Sequence, residues 1–258
     1  NYVKFAGFYW RIVRINGDGS IRLAYAGTMA HANNEASADK VIGNSAFNEQ
    51  YDDNAYAGYM YGTPGSSTYE ETHANINDST IKKYVDNWYE ANLKGTIYEQ
   101  YLADNTFCND RSIMRYSDKS DYSNLGYGKE KTTYTHHGGG QNKLTCLSKN
   151  DSFNASGINN GNGKLLYKIG LLTVDEVNLA GGFHDNINYY LYTGTQYFTM
   201  TPCDNVGAAT YIRFVTETGK AYASNLTTNK YGVKPVINLK PNSLKSGDGT
   251  INNPYVVE

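Results

Sequence analysis

Apolar and polar positions alternate near the start of the chain, which is typical of β-strands with one buried face. The apolar positions on either side of a short polar stretch are Trp10, Ile12 and Val13, and then Ile21, Leu23 and Tyr25. The stretch between them is Asn16-Gly17-Asp18-Gly19, and Asn-Gly and Asp-Gly pairs supply the positive φ angles of a hairpin turn. The pattern predicts a β-hairpin over about residues 2–26.

Helical spacing appears near residue 80. The apolar positions that recur every three or four residues are Ile81, Tyr84, Val85 and Trp88. Such spacing is typical of an amphipathic helix that buries one face. Asp78 or Ser79 can cap its start, and Gly95 is expected to end it. A second short helix is predicted over Ile97–Leu102.

A third helix is predicted in "IGLLTVDEVNLAGG", where a short apolar strand comes first. Thr173 can cap this helix, and Asp175 and Glu176 lie in its positively polarised first turn. Gly181 and Gly182 are expected to stop it, because glycine adopts the left-handed conformation that ends helices. The two adjacent carboxylates are interpreted as complements of the helix dipole, not as a catalytic pair.

The remaining regular segments are short β runs separated by long polar stretches. The runs cover residues 197–202, 209–225, 231–240 and the last few residues, and the loop-like stretches cover 28–77 and 107–162. Strands near both ends with helices between them indicate an α+β fold. We expect one domain over residues 1–258, with an antiparallel sheet that joins both termini, two or three helices and long irregular loops.

Charge and hydropathy limit the partners that can be expected. The chain has 258 residues and a formal net charge of −2 at pH 7. It therefore lacks a basic surface of the kind that attracts nucleic acids or anionic lipids. No apolar run approaches the roughly 20 residues needed to span a bilayer. The chain starts at Asn1, which predicts that its N-terminus was trimmed.

Tyrosine and asparagine are unusually frequent. The chain has 25 tyrosines and 30 asparagines, while charged residues make up only 19%. Binding loops use tyrosine for contact area and asparagine for adaptable hydrogen bonds. A biased, AT-rich coding sequence would enrich the same residues, and both explanations stay open.

Three cysteines occur, at 108, 146 and 203, and none forms a C-x-x-C pair. A zinc site built on cysteines is therefore not expected. Cys108 and Cys146 bracket a polar, glycine-rich stretch, and a bond between them would close a long loop. We predict a Cys108–Cys146 disulfide and a thiol at Cys203.

Four stretches resemble a family of surface proteins of Gram-positive gut bacteria. They are "FYWRIVRINGDGSIRL", "FCNDRS", "IGLLTVDEVNLAGG" and "YGVKPVINLKPNSLKSGDGTINNPYVVE". Members of that family often carry a prepilin-type or membrane-anchored N-terminus. The resemblance implies an extracellular, cell-surface location, with membrane contact only through an anchor that would precede Asn1.

The segment "LLTVDEVNLAGG" also resembles the helix of the formylglycine-generating branch of C-type-lectin-like folds. That branch includes the variable proteins of diversity-generating retroelements, and the resemblance implies a C-type-lectin-like domain. The chain departs from the branch in two respects. The oxidase members use a cysteine pair where only Cys203 is present, and the Glu-Pro-Asn and Trp-Asn-Asp signatures of calcium lectins are missing.

Motifs for catalysis are lacking in the sequence. There is no G-x-S-x-G, H-E-x-x-H or phosphate-binding loop. The adjacent pair His136-His137 is interpreted as a solvated loop, because neighbouring residues do not face one metal ion. His184 beside Asp185 could form a base with its orienting carboxylate, but the pair is interpreted as part of a polar loop. We therefore predict no enzyme activity, no cofactor and no metal site.

The ligand face is predicted around "YYLYTGTQYFTMTPCDN". The candidate ligand-binding residues are Tyr189, Tyr190, Tyr192, Tyr197, Asp204, Asn205, Tyr211, Tyr222 and Asn225. We expect Tyr189, Tyr190 and Tyr192 to be exposed, so that their replacement by alanine changes stability by no more than about 0.5 kcal/mol. The alternative is that these tyrosines are buried in a sheet.

The predicted function is a non-enzymatic adhesion domain that binds a glycan or a protein on a host or neighbouring cell. The first alternative is a structural subunit of a pilus or surface filament, which would self-assemble. The second alternative is a divergent enzyme of the formylglycine-generating type.

Overall fold

A computed structural model describes residues 1–66, 68–112, 132–133, 142–146, 148–157, 161–206, 209–221 and 224–257. Within these ranges the α-helices are α1 (Tyr69–Thr72), α2 (Thr80–Asn92) and α3 (Val174–Val177). The strands are β1 (Tyr2–Phe5), β2 (Phe8–Ile15), β3 (Ile21–Gly27), β4 (Asn44–Ala46), β5 (Met60–Tyr61), β6 (Asn77–Asp78), β7 (Phe107–Cys108), β8 (Thr132–Thr133), β9 (Ser152–Phe153), β10 (Ile169–Leu171), β11 (Tyr197–Val206), β12 (Ala209–Val215), β13 (Ser224–Leu226), β14 (Lys230–Gly232), β15 (Pro235–Leu239), β16 (Leu244–Ser246) and β17 (Tyr255–Val257). Short 3₁₀ helices cover Ala38–Lys40, Asn54–Ala57, Ile97–Tyr101 and Lys149–Asp151.

Both ends of the chain lie in one seven-stranded sheet. Its strand order is β10-β15-β3-β2-β1-β17-β16. Strand β15 pairs antiparallel with β3, where Ile237 lies opposite Leu23. The prediction that strands from both ends of the chain share one sheet is confirmed. The expectation of an antiparallel sheet is wrong in one respect, because β1 and β17 pair in parallel. Parallel pairing needs a long connection between the two strands, and nearly the whole chain lies between these two.

A second sheet is built around the longest strand, β11. Its order is β13-β12-β11-β14-β4, and β8 also pairs with β11. The pairing of β11 with β12 is antiparallel and shifts register on both sides of Pro202. Proline lacks the N–H that the ladder requires, which explains a bulge at this position. Two smaller pairs, β5–β6 and β7–β9, complete the described sheets.

The N-terminal hairpin forms as the alternation predicts. Asn16 donates its backbone N–H to Ser20 O at 2.8 Å, and Gly19 takes a φ of +80° in the turn. On the core side, Trp10 is fully buried and packs edge-on against Tyr25 and Trp88. The hairpin is therefore fixed at one end by aromatic packing, and its turn reaches beyond the core.

Helix α2 also agrees with the sequence pattern. Ser79 is the N-cap, since its hydroxyl accepts from Lys82 N at 3.2 Å. Ile81 and Val85 are completely buried, so the apolar face of the helix packs into the core. Within the described residues no helix is both long and apolar enough to cross a membrane.

Helix α3 starts with the predicted cap. The Thr173 hydroxyl accepts from Glu176 N at 3.2 Å, and the Glu176 carboxylate accepts from Thr173 N at 2.9 Å. This reciprocal capping box satisfies two N–H groups that the helix itself leaves open. The helix continues as a π-helical turn over Asn178–Gly182, where Gly181 has a φ of +115°. The predicted stop at the glycine pair is confirmed.

The predicted disulfide is present in the structure. Cys108 on β7 is bonded to Cys146, 38 residues further along the chain. Cys203 lies outside this bond and is buried. The disulfide holds residues 142–146 against β7, beside the turn of the N-terminal hairpin and the start of α3.

Candidate functional site

A polar cavity of about 830 Å³ lies beside the disulfide. It forms where parts of the chain that are far apart in sequence converge. These parts are the hairpin turn (14–18) with Arg22 on β3, residues 104–106 with Cys108 and Asp110, the disulfide segment (143–146), Ser152 on β9 with Asn154, the start of α3, and Thr201 on β11. The volume lies within the range of about 300–1,000 Å³ that is usual for sites of small ligands.

One side of the cavity is built on a buried carboxylate held by two arginines. Glu176 lies 2.5 Å from Nε of Arg22 and 3.2 Å from a terminal nitrogen of Arg14. The side chains of Glu176 and Arg22 are each 1% exposed, whereas that of Arg14 is 22% exposed. One carboxylate thus faces two guanidinium groups, and the three side chains hold one another in place. We refer to Arg14, Arg22 and Glu176 as the arginine clamp.

Two aspartates of the lining are also fixed by the protein. Asp18 accepts from the Ser20 hydroxyl at 2.6 Å and from Ser20 N at 2.9 Å, and the hydroxyl contact is the main cause of a lowered pKa at Asp18. Asp104 accepts from Ala155 N and Ser156 N, one at each oxygen, both at 2.8 Å. These carboxylates therefore stay in place as acceptors and as negative charges at the wall.

Ser152 is the side chain of the lining that most directly indicates a ligand. It is 1% exposed, and its hydroxyl has no hydrogen-bond partner within the described part of the chain. A buried hydroxyl without a partner costs roughly 1–3 kcal/mol. Ser152 also lines the cavity, so this unpaired hydroxyl lies close to its wall.

The lining holds more acidic than basic residues. Among its described residues five are acidic and three are basic, namely Asp18, Asp104, Asp110, Asp175 and Glu176 against Arg14, Arg22 and Lys143. Across the described ranges, His, Cys, Asp and Glu side chains form no group of three or more that could hold a metal ion. The cavity therefore combines acidic character with hydroxyl and amide groups.

Two of the three tyrosines that we expected to be exposed are buried. Tyr189 is 5% exposed and Tyr192 is 8% exposed, while Tyr190 is half-buried. Tyr197, at the start of β11, is fully buried. The expected exposure is wrong for Tyr189 and Tyr192, because the segment folds onto the core instead of standing out as a loop.

Buried lysine amines explain part of this packing. Lys40 Nζ donates to Tyr192 O at 3.3 Å and lies 5.9 Å from the centre of the Tyr192 ring. Lys234 Nζ lies 5.9 Å from the centre of the Tyr197 ring and donates to Lys40 O at 3.2 Å. We refer to these four residues as the lysine–tyrosine cluster. Its aromatic rings serve the fold, since each packs near a buried amine.

Burial sets the titration of the two lysines. It lowers the pKa of Lys40 to about 8 and lowers the pKa of Lys234 well below its usual range. In the unfolded chain a lysine has a pKa of about 10.4. At pH values between the folded and the unfolded pKa, each of these lysines therefore binds a proton when the protein unfolds. The stability from the neutral amines is fully present above the unfolded pKa and is lost as the pH falls through the folded pKa.

This titration predicts an effect of Lys234→Met on pH dependence. One proton taken up on unfolding raises the free energy of unfolding by about 1.4 kcal/mol per pH unit. We expect the rise between about pH 7 and pH 9.5 to be shallower in Lys234→Met than in the wild type, as measured by urea denaturation. Lys83 is exposed, and Lys83→Met should keep the wild-type slope. Equal slopes for Lys234→Met and the wild type would contradict the assignment.

The other candidate residues lie on the second sheet. Asp204 pairs with Tyr211 across β11 and β12, and Asn225 on β13 pairs with Ile212. Asn205 is fully buried and donates to the Thr210 hydroxyl at 2.6 Å. The register brings Asp204, Tyr211 and Asn225, all half-buried, onto three neighbouring strands. Their role in binding stays a prediction, and Tyr222 and the pair His136-His137 lie outside the described residues.

Sequence reasoning missed the arginine clamp and Ser152. Alternation in the hairpin places Arg22 on the polar face of β3, but every residue of β3 is buried. Two arginines close to a hairpin turn and a glutamate at a helix start were the available signals. The dipole interpretation of Glu176 was incomplete, because this side chain both caps the helix and pairs with the arginines.

Comparisons with known proteins do not assign a family or a function to the chain. No protein-family model, curated protein or solved structure matches the chain. The resemblances to bacterial surface proteins and to C-type-lectin-like folds therefore stay predictions.

Proposed function

We propose that the chain is a non-enzymatic binding domain of a bacterial cell surface, and that its ligand is a glycan held in the polar cavity. The domain would have a C-type-lectin-like architecture, which the joined termini and the short helices between the terminal strands support. The Cys108–Cys146 disulfide favours an extracytoplasmic location, because such bonds persist in oxidising compartments.

The observation that carries the proposal is the buried hydroxyl of Ser152 at the wall of a ligand-sized cavity. Binding is favoured over catalysis by the state of the acidic side chains. Asp18, Asp104 and Glu176 each use their oxygens to hold protein donors, whereas a general acid or base must reach its substrate. Hydroxyl and amide groups in the lining suit the hydroxyls of a sugar.

Ser152→Ala separates a binding role from a structural one. The variant removes a buried hydroxyl that has no partner, so the free energy of unfolding should stay unchanged or rise by about 1 kcal/mol. Retention of glycans on an array of bacterial and host saccharides should fall at the same time. Stability at or above that of the wild type together with weaker binding is typical of a functional site.

Two further variants serve as controls for the array. Ser246 is exposed on the edge strand β16, and Ser246→Ala should bind as the wild type does. Tyr211→Ala tests the second sheet in place of the cavity. Loss of binding in Tyr211→Ala but not in Ser152→Ala would move the ligand site to that sheet. An array that retains no saccharide would contradict glycan binding.

A further inference from the structure

We infer that the Cys108–Cys146 disulfide is a redox switch for the cavity, which binds its ligand when the bond is formed and releases it when the bond is reduced. This inference rests on the proposed function, since it concerns the regulation of the same cavity. Both cysteines line the cavity, together with Lys143, Leu144 and Thr145. The disulfide segment therefore supplies part of the cavity wall, and the disulfide joins this part to β7.

The disulfide is the main attachment of this segment. Residues 143–145 are exposed and Cys146 is half-buried. Within the described part of the chain, no backbone group of the segment forms a hydrogen bond. Asn142, which precedes the segment, accepts from the Asn178 side chain at 3.2 Å. The Cys146 sulfur lies 3.5 Å from Asp151 O, but a disulfide sulfur carries no proton to donate. Reduction of the bond should therefore free this part of the wall.

The other partner of the bond is fixed without the disulfide. Strand β7 pairs with β9, where Phe107 lies opposite Phe153 and both rings are completely buried. Arg111, which follows β7, is bound to Asp151 at 2.7 Å and donates to Met60 O at 3.0 Å. A buried strand pair and a buried ion pair thus hold β7 and β9 in place. Reduction should change the cavity locally and leave the surrounding fold intact.

The bond is placed where a reductant can reach it. Cys108 and Cys146 are both half-buried, whereas Cys203 is buried. Exposed disulfides are in general the more easily reduced and the regulatory ones. A dithiol breaks the S–S bond, passes two electrons and two protons to the two sulfurs, and is itself closed to a cyclic disulfide. An oxidised dithiol reverses the reaction, so the switch is reversible.

Thermodynamic linkage gives this switch a consequence that a purely structural disulfide lacks. If the oxidised form binds a saccharide about tenfold more tightly than the reduced form, saturation with that saccharide must lower the equilibrium constant for reduction by about the same factor. For a two-electron couple, this factor corresponds to a fall of about 30 mV in the reduction potential. A disulfide that only stabilises the fold would keep its potential when the folded protein binds ligand.

The release of the segment is tested by ¹⁵N relaxation before and after reduction with dithiothreitol. We expect the backbone order parameters of Lys143, Leu144 and Thr145 to fall from about 0.85 to below about 0.6. Those of Phe107 and Phe153 should stay at about 0.85, and reoxidation should restore the first three. This measurement needs no ligand, so its outcome does not depend on the proposed function.

The saccharide array tests the effect on binding. We expect reduced protein to bind the most strongly retained saccharide at least about fivefold more weakly than oxidised protein. The double variant Cys108→Ser and Cys146→Ser should bind as the reduced form does, with or without dithiothreitol. Cys203→Ala removes the third cysteine of the chain and should respond to the reductant as the wild type does. Reduced wild-type protein supplies the same comparison if the double variant does not fold.

Redox titration in mixtures of reduced and oxidised dithiothreitol measures the linkage. The fraction of free thiols is followed with and without the same saccharide, and the saccharide should make the bond harder to reduce by the factor found for binding. A midpoint that does not move would overturn the switch.

The outcomes separate this inference from the proposed function. Equal binding by the oxidised and reduced forms would overturn the switch and leave glycan binding in place. Order parameters that do not change on reduction would overturn the switch, as would unfolding of the whole domain, since the bond would then support the fold in general. An array that retains no saccharide with either form would overturn both.

Discussion

Replacement of Tyr189 or Tyr192 by alanine is expected to lower the free energy of unfolding by about 3–5 kcal/mol, as is usual for buried aromatic residues. Tyr189 shows why the loss is large. Glycines leave room for its ring, since a Cβ at Gly182 would lie 3.0 Å from the Tyr189 hydroxyl and one at Gly219 would lie 2.9 Å from its ring. Removing the ring leaves a cavity that this close-fitting surrounding cannot fill.

Urea denaturation of the single variants measures this effect. Tyr51 is 44% exposed, and Tyr51→Ala is the matched control that should change stability little. Tyr190 is half-buried, so Tyr190→Ala should lie between the two. If Tyr189→Ala and Tyr192→Ala remained as stable as the wild type, the exposed tyrosine face expected from sequence would be correct and the packing described above would be wrong.

Neutralising the arginine clamp should have a comparable effect. Glu176→Gln keeps the size of the side chain and its ability to cap α3, because glutamine also serves in capping boxes. It leaves Arg22, which is 1% exposed, without a carboxylate partner. Breaking a buried ion pair on one side costs about 3–5 kcal/mol, so we expect a loss of roughly 3 kcal/mol in the free energy of unfolding.

A double variant distinguishes charge from packing in the clamp. Arg22→Met combined with Glu176→Gln removes both buried charges and keeps the cap of α3, and removing both charges of a buried ion pair is often neutral or stabilising. The double variant should therefore be more stable than Glu176→Gln. The exposed pair Glu90–Lys94 is the control, since Glu90→Gln should change stability little. A double variant less stable than Glu176→Gln would show that the clamp acts through its shape.

Local features of the fold could be predicted from sequence because their signals are local. The turn at Asn16–Gly19 and the capping box between Thr173 and Glu176 each depend on residues within one turn of chain. The pairing of β3 with β15 was also predictable, because strands near both ends had to share a sheet. Parallel pairing of β1 with β17 depends on the path of the whole chain between the two strands, which no local sequence pattern specifies.

The burial of the tyrosine-rich segment could not be predicted, because the surfaces that cover it are remote in sequence. Tyr189 packs against Gly182 and Gly219, and Lys40 reaches the carbonyl of Tyr192 from about 150 residues away. Tyrosine suits exposed and buried positions alike, since its ring is apolar and its hydroxyl is polar. The high frequency of tyrosine therefore could not show whether the segment forms a binding face or part of the core.

The cavity was unpredictable for a related reason. Its lining comes from several separated parts of the chain, and the disulfide at its wall joins two of them. Ser152 has no sequence signal, because a single serine in a polar stretch is common. Its significance appears only when burial and the missing partner are considered together.

Glycan binding in the cavity is tested most directly by mapping the bound saccharide on the protein. ¹⁵N-labelled protein is titrated with the saccharide that the array retains most strongly, and amide shifts are followed by NMR. The proposal predicts that the largest shifts fall on cavity residues such as Asp18, Asn105 and Ser152, and that they are lost in Ser152→Ala. Shifts concentrated at Tyr211 and Asn225, or no shifts at all, would contradict it.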